Sequence, residues 1–325
     1  MELRKDPITR SWVVVGQSES TTLPMDPCPL CRGNEGDTRT ILQLPQNGPW
    51  QIRVFPHFRP VYRIEGDPER SAEGIYDRMA PVGAHEVLVD TPAHVRWLAD
   101  ESDDQISLAL EACALRIADL KRDPRFKYVA VFKNRGDNAG QEWPHSHMQV
   151  TATTFVPRRV LYELRAARDW FRDRERCVFC DILRQEEKEG KRVVDSQGGY
   201  VAFCPYAARV PFETWLMPRR HSHEFETPGA ENLRQLGALL GRVVRRIRPV
   251  ANGYHMVIHT SPSSLHTKGE LSEYWRTIAD DYHWHIEILP VIPTGSKSYA
   301  LKEVYFNSLL PEQAAEVLRQ VDPGR

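Results

Sequence analysis

The histidine and cysteine residues of this chain fall into two sets whose spacing could support metal and phosphoryl chemistry. The first set has a C-x-x-C pair at Cys28 and Cys31, a lone histidine at His94, and an H-x-H motif at His145 and His147. A second set repeats these features in the same order: Cys177, Cys180, His221, His283 and His285. Three features that recur in register indicate an internal duplication.

Each set offers the thiolate and imidazole ligands that zinc prefers in a tetrahedral site. We predict one zinc ion on Cys28, Cys31, His94 and one histidine of the first H-x-H motif. The second zinc ion is predicted on the matching residues: Cys177, Cys180, His221 and one histidine of the second motif. A single C-x-x-C pair could instead be a redox pair, and a single histidine a core residue, so the prediction depends on the recurrence.

The stretch H-x-H-x-Q at residues 145–149 reads as a strand, on which side chains alternate between two faces. His145, His147 and Gln149 are therefore predicted to share a face, so that one histidine binds the metal while the next faces a ligand. A neutral imidazole can attack phosphorus and leave afterwards. The amide of Gln149 can hold a phosphate oxygen as its charge changes. The alternative interpretation is a metal-capped strand that follows a surface loop.

The segment at residues 134–140, just before this strand, contains Gly136 and Gly140. Glycines permit turns in which backbone N–H groups face a phosphate.

The elements that must position these residues read as an alternation of strands and helices in both halves of the chain. Amphipathic helices are predicted at 101–122 and 232–248, a charged helix at 161–176, and an exposed loop at 184–197. The predicted strands are 13–15, 51–55, 86–90, 128–132, 147–151, 200–203, 212–217, 254–259 and 283–289. Residues 1–160 and 161–325 are predicted to be the two duplicated halves.

Length and composition set the broad class of protein. The chain has 325 residues, 41% of them hydrophobic, and a formal net charge of -1. We expect no transmembrane helix and no signal peptide, because no long apolar run is present and the first ten residues lack an apolar core. A near-neutral charge argues against a nucleic-acid partner. Because no signal peptide is expected, we predict a reducing, cytoplasmic location in which the six cysteines form no disulfides. Four of the six lie in C-x-x-C pairs, which in a cytosolic chain indicate metal or redox chemistry.

Residues 134–140 followed by Pro144-His145-Ser146-His147-Met148-Gln149 resemble the active-site strand of the galactose-1-phosphate uridylyltransferases, within the histidine-triad superfamily. The resemblance extends over essentially the whole chain. Its other segments are residues 5–13, 28–31, 91–94, 211–213 and 311–316.

The resemblance implies an α+β fold of duplicated histidine-triad-like halves, each an antiparallel sheet with helices, and a homodimer. It implies ping-pong transfer, in which a histidine attacks the α-phosphorus of a UDP-sugar, releases sugar 1-phosphate, and passes the nucleotidyl group to another phosphate. Carried onto this chain, His145 is a zinc ligand, His147 the nucleophile and Gln149 the phosphate-holding residue. His283 aligns with His145 as the fourth ligand of the second zinc ion. The substrate-binding residues implied are Phe55, His57, Asn134, Gly136, Gly140 and Gln149.

The chain departs from the family pattern at several substrate-facing positions. Glu142 stands where members commonly have serine or cysteine, and His57 stands where asparagine is usual. The segment 302–307 lacks the glycines of the usual sugar-binding segment. In some bacterial members a glutamate and three histidines hold the second metal, and Glu163, His259, His283 and His285 could match that set. The Cys177 and Cys180 pair makes this chain more similar to two-zinc relatives, which include plant-type enzymes that phosphorolyse ADP-glucose.

The leading predicted function is UDP-hexose:hexose-1-phosphate uridylyltransferase, acting on UDP-glucose in galactose metabolism. The first alternative is a nucleotide-sugar phosphorylase, which uses ADP- or UDP-glucose with phosphate as acceptor. A non-catalytic zinc scaffold and a nucleotide hydrolase are further alternatives. Glu287 replaces the glutamine in the second half, as expected if that half has lost catalysis.

Overall fold

The computed structural model describes residues 1–16, 26–95, 97–265, 275–292 and 304–324. Residues 302 and 303 of the predicted sugar-binding segment lie outside the described residues. No helix in the described ranges is long and apolar enough to cross a bilayer.

Ten of the strands in the described residues form one large sheet, to which both halves of the chain contribute. The strands are β1 (Glu2–Lys5), β2 (Trp12–Val15), β3 (Leu42–Leu44), β4 (Ile52–Pro56), β5 (Ser71–Glu73), β6 (Tyr76–Met79), β7 (Gly83–Val89), β8 (Tyr128–Arg135), β9 (His147–Thr153), β10 (Val193–Gln197), β11 (Tyr200–Phe203), β12 (Thr214–Pro218), β13 (Gly253–His259) and β14 (His285–Val291). Ten of them are ordered β10-β11-β12-β14-β13-β8-β9-β7-β4-β3, and the other four form a small sheet β2-β1-β6-β5.

The order of the ten-stranded sheet is the same when read outward from its centre in either direction. The two halves meet where β8 pairs antiparallel with β13, with Lys133 opposite Met256. From there, β8-β9-β7-β4-β3 on one side matches β13-β14-β12-β11-β10 on the other. The predicted fold class, α+β with duplicated antiparallel halves, is confirmed. The boundary predicted between residues 160 and 161 falls inside a helix that follows β9.

Six α-helices lie in the described residues: α1 (Asp103–Leu120), α2 (Arg158–Arg174), α3 (Val178–Glu189), α4 (Ala230–Ile247), α5 (Ile278–Asp281) and α6 (Pro311–Gln320). The long helices α1 and α4 pack against each other. A Cβ on Gly237 of α4 would lie 2.1 Å from Ser107 Oγ and 2.9 Å from Ser107 Cα on α1. Glycine is therefore required where these two helices cross.

The exposed loop predicted at residues 184–197 is wrong. Most of this segment belongs to α3 and β10, and α3 buries Phe179, Leu183 and Glu186. The segment is rich in Gln, Glu and Lys, which are strong helix formers. Gly190 ends the helix at a φ of 67°, as glycine commonly does. The polar sequence of residues 184–197 is typical of a loop, because the apolar residues of this helix lie mainly in its first two turns, before residue 184.

Candidate active site and metal centres

Strand β9 places its side chains on two different faces of the large sheet. Met148 and Val150 are buried in the core that includes the apolar side of α1. His147 and Gln149 point to the opposite face and are 4% and 9% exposed. The predicted shared face therefore holds for these two residues, but the strand begins only at His147. His145 lies in the turn before it and is oriented by other contacts.

The ring of His147 is held in a single tautomer. Its Nδ1 lies 2.7 Å from the backbone oxygen of His145, and because a carbonyl can only accept, Nδ1 carries the proton. The lone pair is therefore on Nε2. Burial, followed by the charge of Lys133, lowers the pKa of His147 to about 4. The imidazole is consequently neutral at pH 7, which is the form that can act as a nucleophile.

A buried ion pair beneath the sheet fixes the turn that carries the H-x-H motif. Lys133 pairs with Asp90, and these residues are 2% and 0% exposed. The ammonium group also donates to the backbone oxygen of His147 at 2.9 Å and to Ser146 Oγ at 2.8 Å. Ser146 Oγ in turn donates to Asp90 Oδ2 at 2.8 Å. Strands β8 and β9, the residue directly after β7, and the turn are thereby joined at one point.

Substituting Lys133 with methionine is expected to destabilise the protein by about 3–5 kcal/mol, because it leaves the Asp90 carboxylate buried without its cation. Denaturant unfolding measures this loss. The double variant Lys133→Met/Asp90→Asn, which removes both charges, is expected to recover most of it. Equal instability of the single and double variants would contradict the assignment of the loss to an unpaired charge.

The first predicted metal group comes together in the structure. Cys28, Cys31, His94 and His145 place their ligand atoms within 4.8 Å of one another. Cys31 Sγ lies 3.2 Å from His94 Nδ1 and 3.5 Å from His145 Nδ1. Zinc bond lengths in a tetrahedral site give a sulfur–nitrogen separation of about 3.5 Å, so the spacing fits the ion. His145 Nε2 donates to Thr91 O at 2.9 Å, which leaves Nδ1 free to coordinate.

The second predicted group has the same arrangement. Cys177, Cys180, His221 and His283 also place their ligand atoms within 4.8 Å. Cys180 Sγ lies 3.3 Å from His221 Nδ1 and 3.4 Å from His283 Nδ1. A hydrogen bond from Cys177 lowers the pKa of Cys180 and correspondingly raises the pKa of Cys177, so the pair holds one thiolate at Cys180. A thiolate is the form that binds a metal, so this group also fits zinc.

The alternative set for the second metal does not form as predicted, because His283 belongs to the cysteine-containing group. The structure instead gathers Glu163, His259, His285 and Glu287. His259 lies between two carboxylates, with Nδ1 3.1 Å from Glu163 and Nε2 3.5 Å from Glu287. Burial opposes the charge on His259, but the carboxylates outweigh it and raise the pKa of the ring to about 10. A protonated histidine therefore neutralises part of this group.

The second half is closed at the position that matches His147. Its counterpart His285 is 0% exposed, stacked on Trp215 at 4.9 Å and on His259 at 4.6 Å. Glu287, the counterpart of Gln149, accepts from Arg209 at 2.6 Å. Sequence reasoning identified the substitution at 287 but missed Arg209, which has no counterpart motif in the first half.

The predicted substrate-binding residues at positions 55, 134, 136 and 140 lie on β4, on β8 and in the turn after β8. Phe55 is fully buried, with Phe58 5.1 Å from its ring. Asn134 Oδ1 accepts from His255 Nδ1 at 3.0 Å. Gly136 (φ 97°) and Gly140 (φ 72°) flank the short 3₁₀ turn between them. A Cβ on Gly136 would lie 2.8 Å from Asn252 O, so this turn needs glycine for space as well as conformation.

The two departures from the family pattern, His57 and Glu142, contact each other. His57 Nε2 donates to Glu142 Oε2 at 2.7 Å, and Arg59 donates to Glu142 Oε1 at 2.8 Å. Gln149 Nε2 also donates to this carboxylate, at 3.3 Å. Burial acts in the opposite direction, but His57 and Arg59 lower the pKa of Glu142. The carboxylate is thus ionised and neutralised by its neighbours, a link that sequence reasoning missed.

Comparison with known proteins agrees with this architecture. The profile of the family described as "Galactose-1-phosphate uridyl transferase, N-terminal domain" matches residues 8–157. The chain is 29% identical to the ADP-glucose phosphorylase of Arabidopsis thaliana over 98% of this chain and 93% of the relative. It is 26% identical to the galactose-1-phosphate uridylyltransferase of Thermotoga maritima over 99% of both chains.

A solved structure gives the same result over the full length. The X-ray structure of a GalT-like protein from Arabidopsis thaliana superimposes with a TM-score of 0.77 and 30% identity. It covers 98% of this chain and 99% of that one. Profile, sequence and structure agree, and the chain belongs to the galactose-1-phosphate uridylyltransferase family.

Proposed function

We propose that this protein is a nucleotidyltransferase that moves a nucleoside monophosphate from a nucleotide sugar to an acceptor phosphate through a covalent intermediate on His147. The observation that carries the proposal is the state of His147. Its ring is neutral, its proton is on Nδ1, and its Nε2 lone pair lies on the same face as Gln149. These are the requirements for an imidazole nucleophile beside an amide that can hold phosphate.

The proposed reaction has two steps, transfer of the nucleotidyl group to His147 and transfer from His147 to the acceptor. His147 Nε2 forms a bond to the α-phosphorus while the bond to the bridging oxygen breaks, and sugar 1-phosphate leaves with that electron pair. A second phosphate oxygen then attacks the same phosphorus and releases Nε2. The attached ring is cationic, and its Nδ1–H remains directed at the backbone oxygen of His145. The fixed carbonyl dipole stabilises that charge in both steps.

The leading activity is UDP-hexose:hexose-1-phosphate uridylyltransferase, with UDP-glucose as donor and a place in galactose metabolism. The similarity to the Thermotoga maritima uridylyltransferase supports it. The second candidate is a nucleotide-sugar phosphorylase that uses ADP- or UDP-glucose. Similarity to the Arabidopsis thaliana ADP-glucose phosphorylase, together with the cysteine-containing metal group of the second half, favours this alternative.

A labelling and chase experiment separates these activities. The protein is incubated with UDP-glucose or ADP-glucose labelled at the α-phosphorus, isolated, and then chased with galactose 1-phosphate, inorganic phosphate or buffer. Label removed by galactose 1-phosphate supports the transferase, and label removed by inorganic phosphate supports the phosphorylase. Label released in buffer alone would indicate a hydrolase, and absence of label from every donor would indicate a zinc scaffold.

The two cysteine-containing groups are proposed to hold two zinc ions per chain, on Cys28, Cys31, His94 and His145 and on Cys177, Cys180, His221 and His283. Thiolate ligands favour zinc over harder cations. Elemental analysis of protein purified without added metal is expected to give about two zinc ions per chain. One zinc ion accompanied by iron would contradict the assignment of the second group.

The protein is also proposed to be a homodimer, as the family resemblance implies. Light scattering at working concentration is expected to give twice the mass of the 37.4 kDa chain. A mass of one chain across the concentration range of the activity assay would contradict this prediction.

The division into residues 1–160 and 161–325 is proposed to separate a catalytic half from a half that keeps its metal group and has lost catalysis. The expected compartment is the cytoplasm, because paired thiols that hold a metal need a reducing environment. The proposed partners are a nucleotide sugar and a sugar 1-phosphate or phosphate, with neither nucleic acid nor membrane.

A further inference from the structure

His85 on β7 contacts the side chain of Gln149 from the neighbouring strand. In the β7–β9 register, Gln149 lies opposite Val87 and His85 lies opposite Thr151. His85 is therefore the diagonal neighbour of Gln149 on the same face, which is close enough for long side chains to meet. His85 Nε2 lies 2.9 Å from Gln149 Oε1.

The tautomer of His85 is set by the backbone. The N–H of Val61 donates to His85 Nδ1 at 3.1 Å, so Nδ1 must carry the lone pair and Nε2 the proton. The ring of His57 stacks on His85 at 4.0 Å with an interplanar angle of 8°, which fixes the plane of the imidazole. His85 therefore presents an N–H donor to Gln149, and the atom that meets it must be the amide oxygen.

Glu142 imposes the same orientation from the other end of the amide. Its Oε2 lies 3.3 Å from Gln149 Nε2, and an ionised carboxylate can only accept. The Gln149 NH₂ group must therefore face Glu142. One of its two hydrogens is used there, and the other remains for a phosphate oxygen. A donor on one side and an acceptor on the other leave a single orientation of the amide.

In the second half, the residues at the positions of His85 and Gln149 are both different. The strand registers match Val87 to Trp215, since Val87 lies opposite Gln149 and Trp215 lies opposite Glu287. Glu213, two residues before Trp215, therefore occupies the place of His85. The donor and amide of the first half are replaced by two carboxylates, which Arg209 bridges at 2.6 Å each. The histidine–glutamine contact is confined to the half that carries the nucleophile.

We propose that His85 is a positioning residue for nucleotidyl transfer, which holds the Gln149 amide with its NH₂ group toward the phosphate oxygen that gains charge. The proposal deepens the proposed function and rests on it. Without the His85 donor at 2.9 Å, the orientation of the amide depends on the longer 3.3 Å contact with Glu142. That contact is the weaker of the two, so the amide can turn its oxygen toward the phosphate. That orientation repels the phosphate most strongly when negative charge develops in the transition state, so the chemical step is affected more than substrate binding.

The test is a double-mutant cycle on the single-turnover labelling rate. His85→Phe keeps a ring but removes the donor, and it is expected to slow labelling about 10–100-fold while changing KM less than about threefold. His85→Gln, whose amide can still donate, is expected to restore most of the rate. In the Gln149→Ala background, His85→Phe is expected to cause no further loss, because the residue it positions is gone. An equal fold-loss in both backgrounds would overturn the proposal.

An α-phosphorothioate donor provides a readout that a purely structural role would not change. Wild type is expected to discriminate between the two phosphorus diastereomers, because one non-bridging position faces the Gln149 amide. His85→Phe and Gln149→Ala are expected to lower that discrimination alike, and unchanged discrimination in His85→Phe would overturn the proposal. If His85→Phe does not fold, His85→Asn replaces it. Its side chain is too short to reach the amide, so it is expected to lower the discrimination in the same way.

Failure of the proposal and failure of the proposed function can be told apart. If wild type takes no label from any nucleotide sugar, the proposed function itself is wrong. If wild type is labelled and His85→Phe is labelled at the wild-type rate, the positioning role alone is wrong.

Discussion

Replacing His147 with glycine is expected to abolish labelling of the protein by nucleotide sugar while leaving metal content and folding intact. The ring of His147 bears the Nε2 lone pair that is free to attack, since its Nδ1 donates to the backbone oxygen of His145. His145 cannot substitute for it, because its Nδ1 is directed at the cysteines and its Nε2 at Thr91. The rate of labelling should fall by at least about 10⁴-fold, the scale for loss of a nucleophile. Gel autoradiography and elemental analysis measure the two outcomes.

His285→Gly is the matched control, because the duplication places His285 where His147 stands in the first half. His285 is completely buried under Trp215 and His259, so labelling of this variant should persist. The cavity left in His147→Gly matches the missing imidazole, and a nucleotide imidazolide is expected to serve as donor to the acceptor phosphate. Normal labelling of His147→Gly would show that the assigned mechanism is wrong.

Much of the site follows from local sequence because its residues recur in register. Cys177, Cys180, His221 and His283 can be grouped from spacing alone once the first half supplies the pattern. Strand alternation likewise places His147 and Gln149 on one face without knowledge of the neighbouring strands.

The rest of the site depends on which strands become neighbours, which single-sequence patterns do not contain. His57 and Glu142 are separated by 85 residues, and each alone reads as a departure from the family pattern. They compensate one another only after β4 and the turn before β9 converge on the same face. His85 shares this property, because its contact with Gln149 requires the β7–β9 register.

The metal ligands of the two halves are expected to respond differently to substitution. Cys28→Ser and Cys177→Ser should each remove about one zinc ion per chain and destabilise the protein by several kcal/mol, because a structural metal contributes directly to folding.

Cys28→Ser should also slow labelling. His145, which shares that metal group, supplies the carbonyl that orients His147. The metal group that contains Cys177 includes His283 and not His145. His285, two residues after His283, is fully buried. Folded Cys177→Ser is therefore expected to keep its labelling rate within about threefold. Zinc content, thermal unfolding and labelling rate are measured on the same preparations. Equal loss of labelling in the two variants would show that the metal groups act only through global stability.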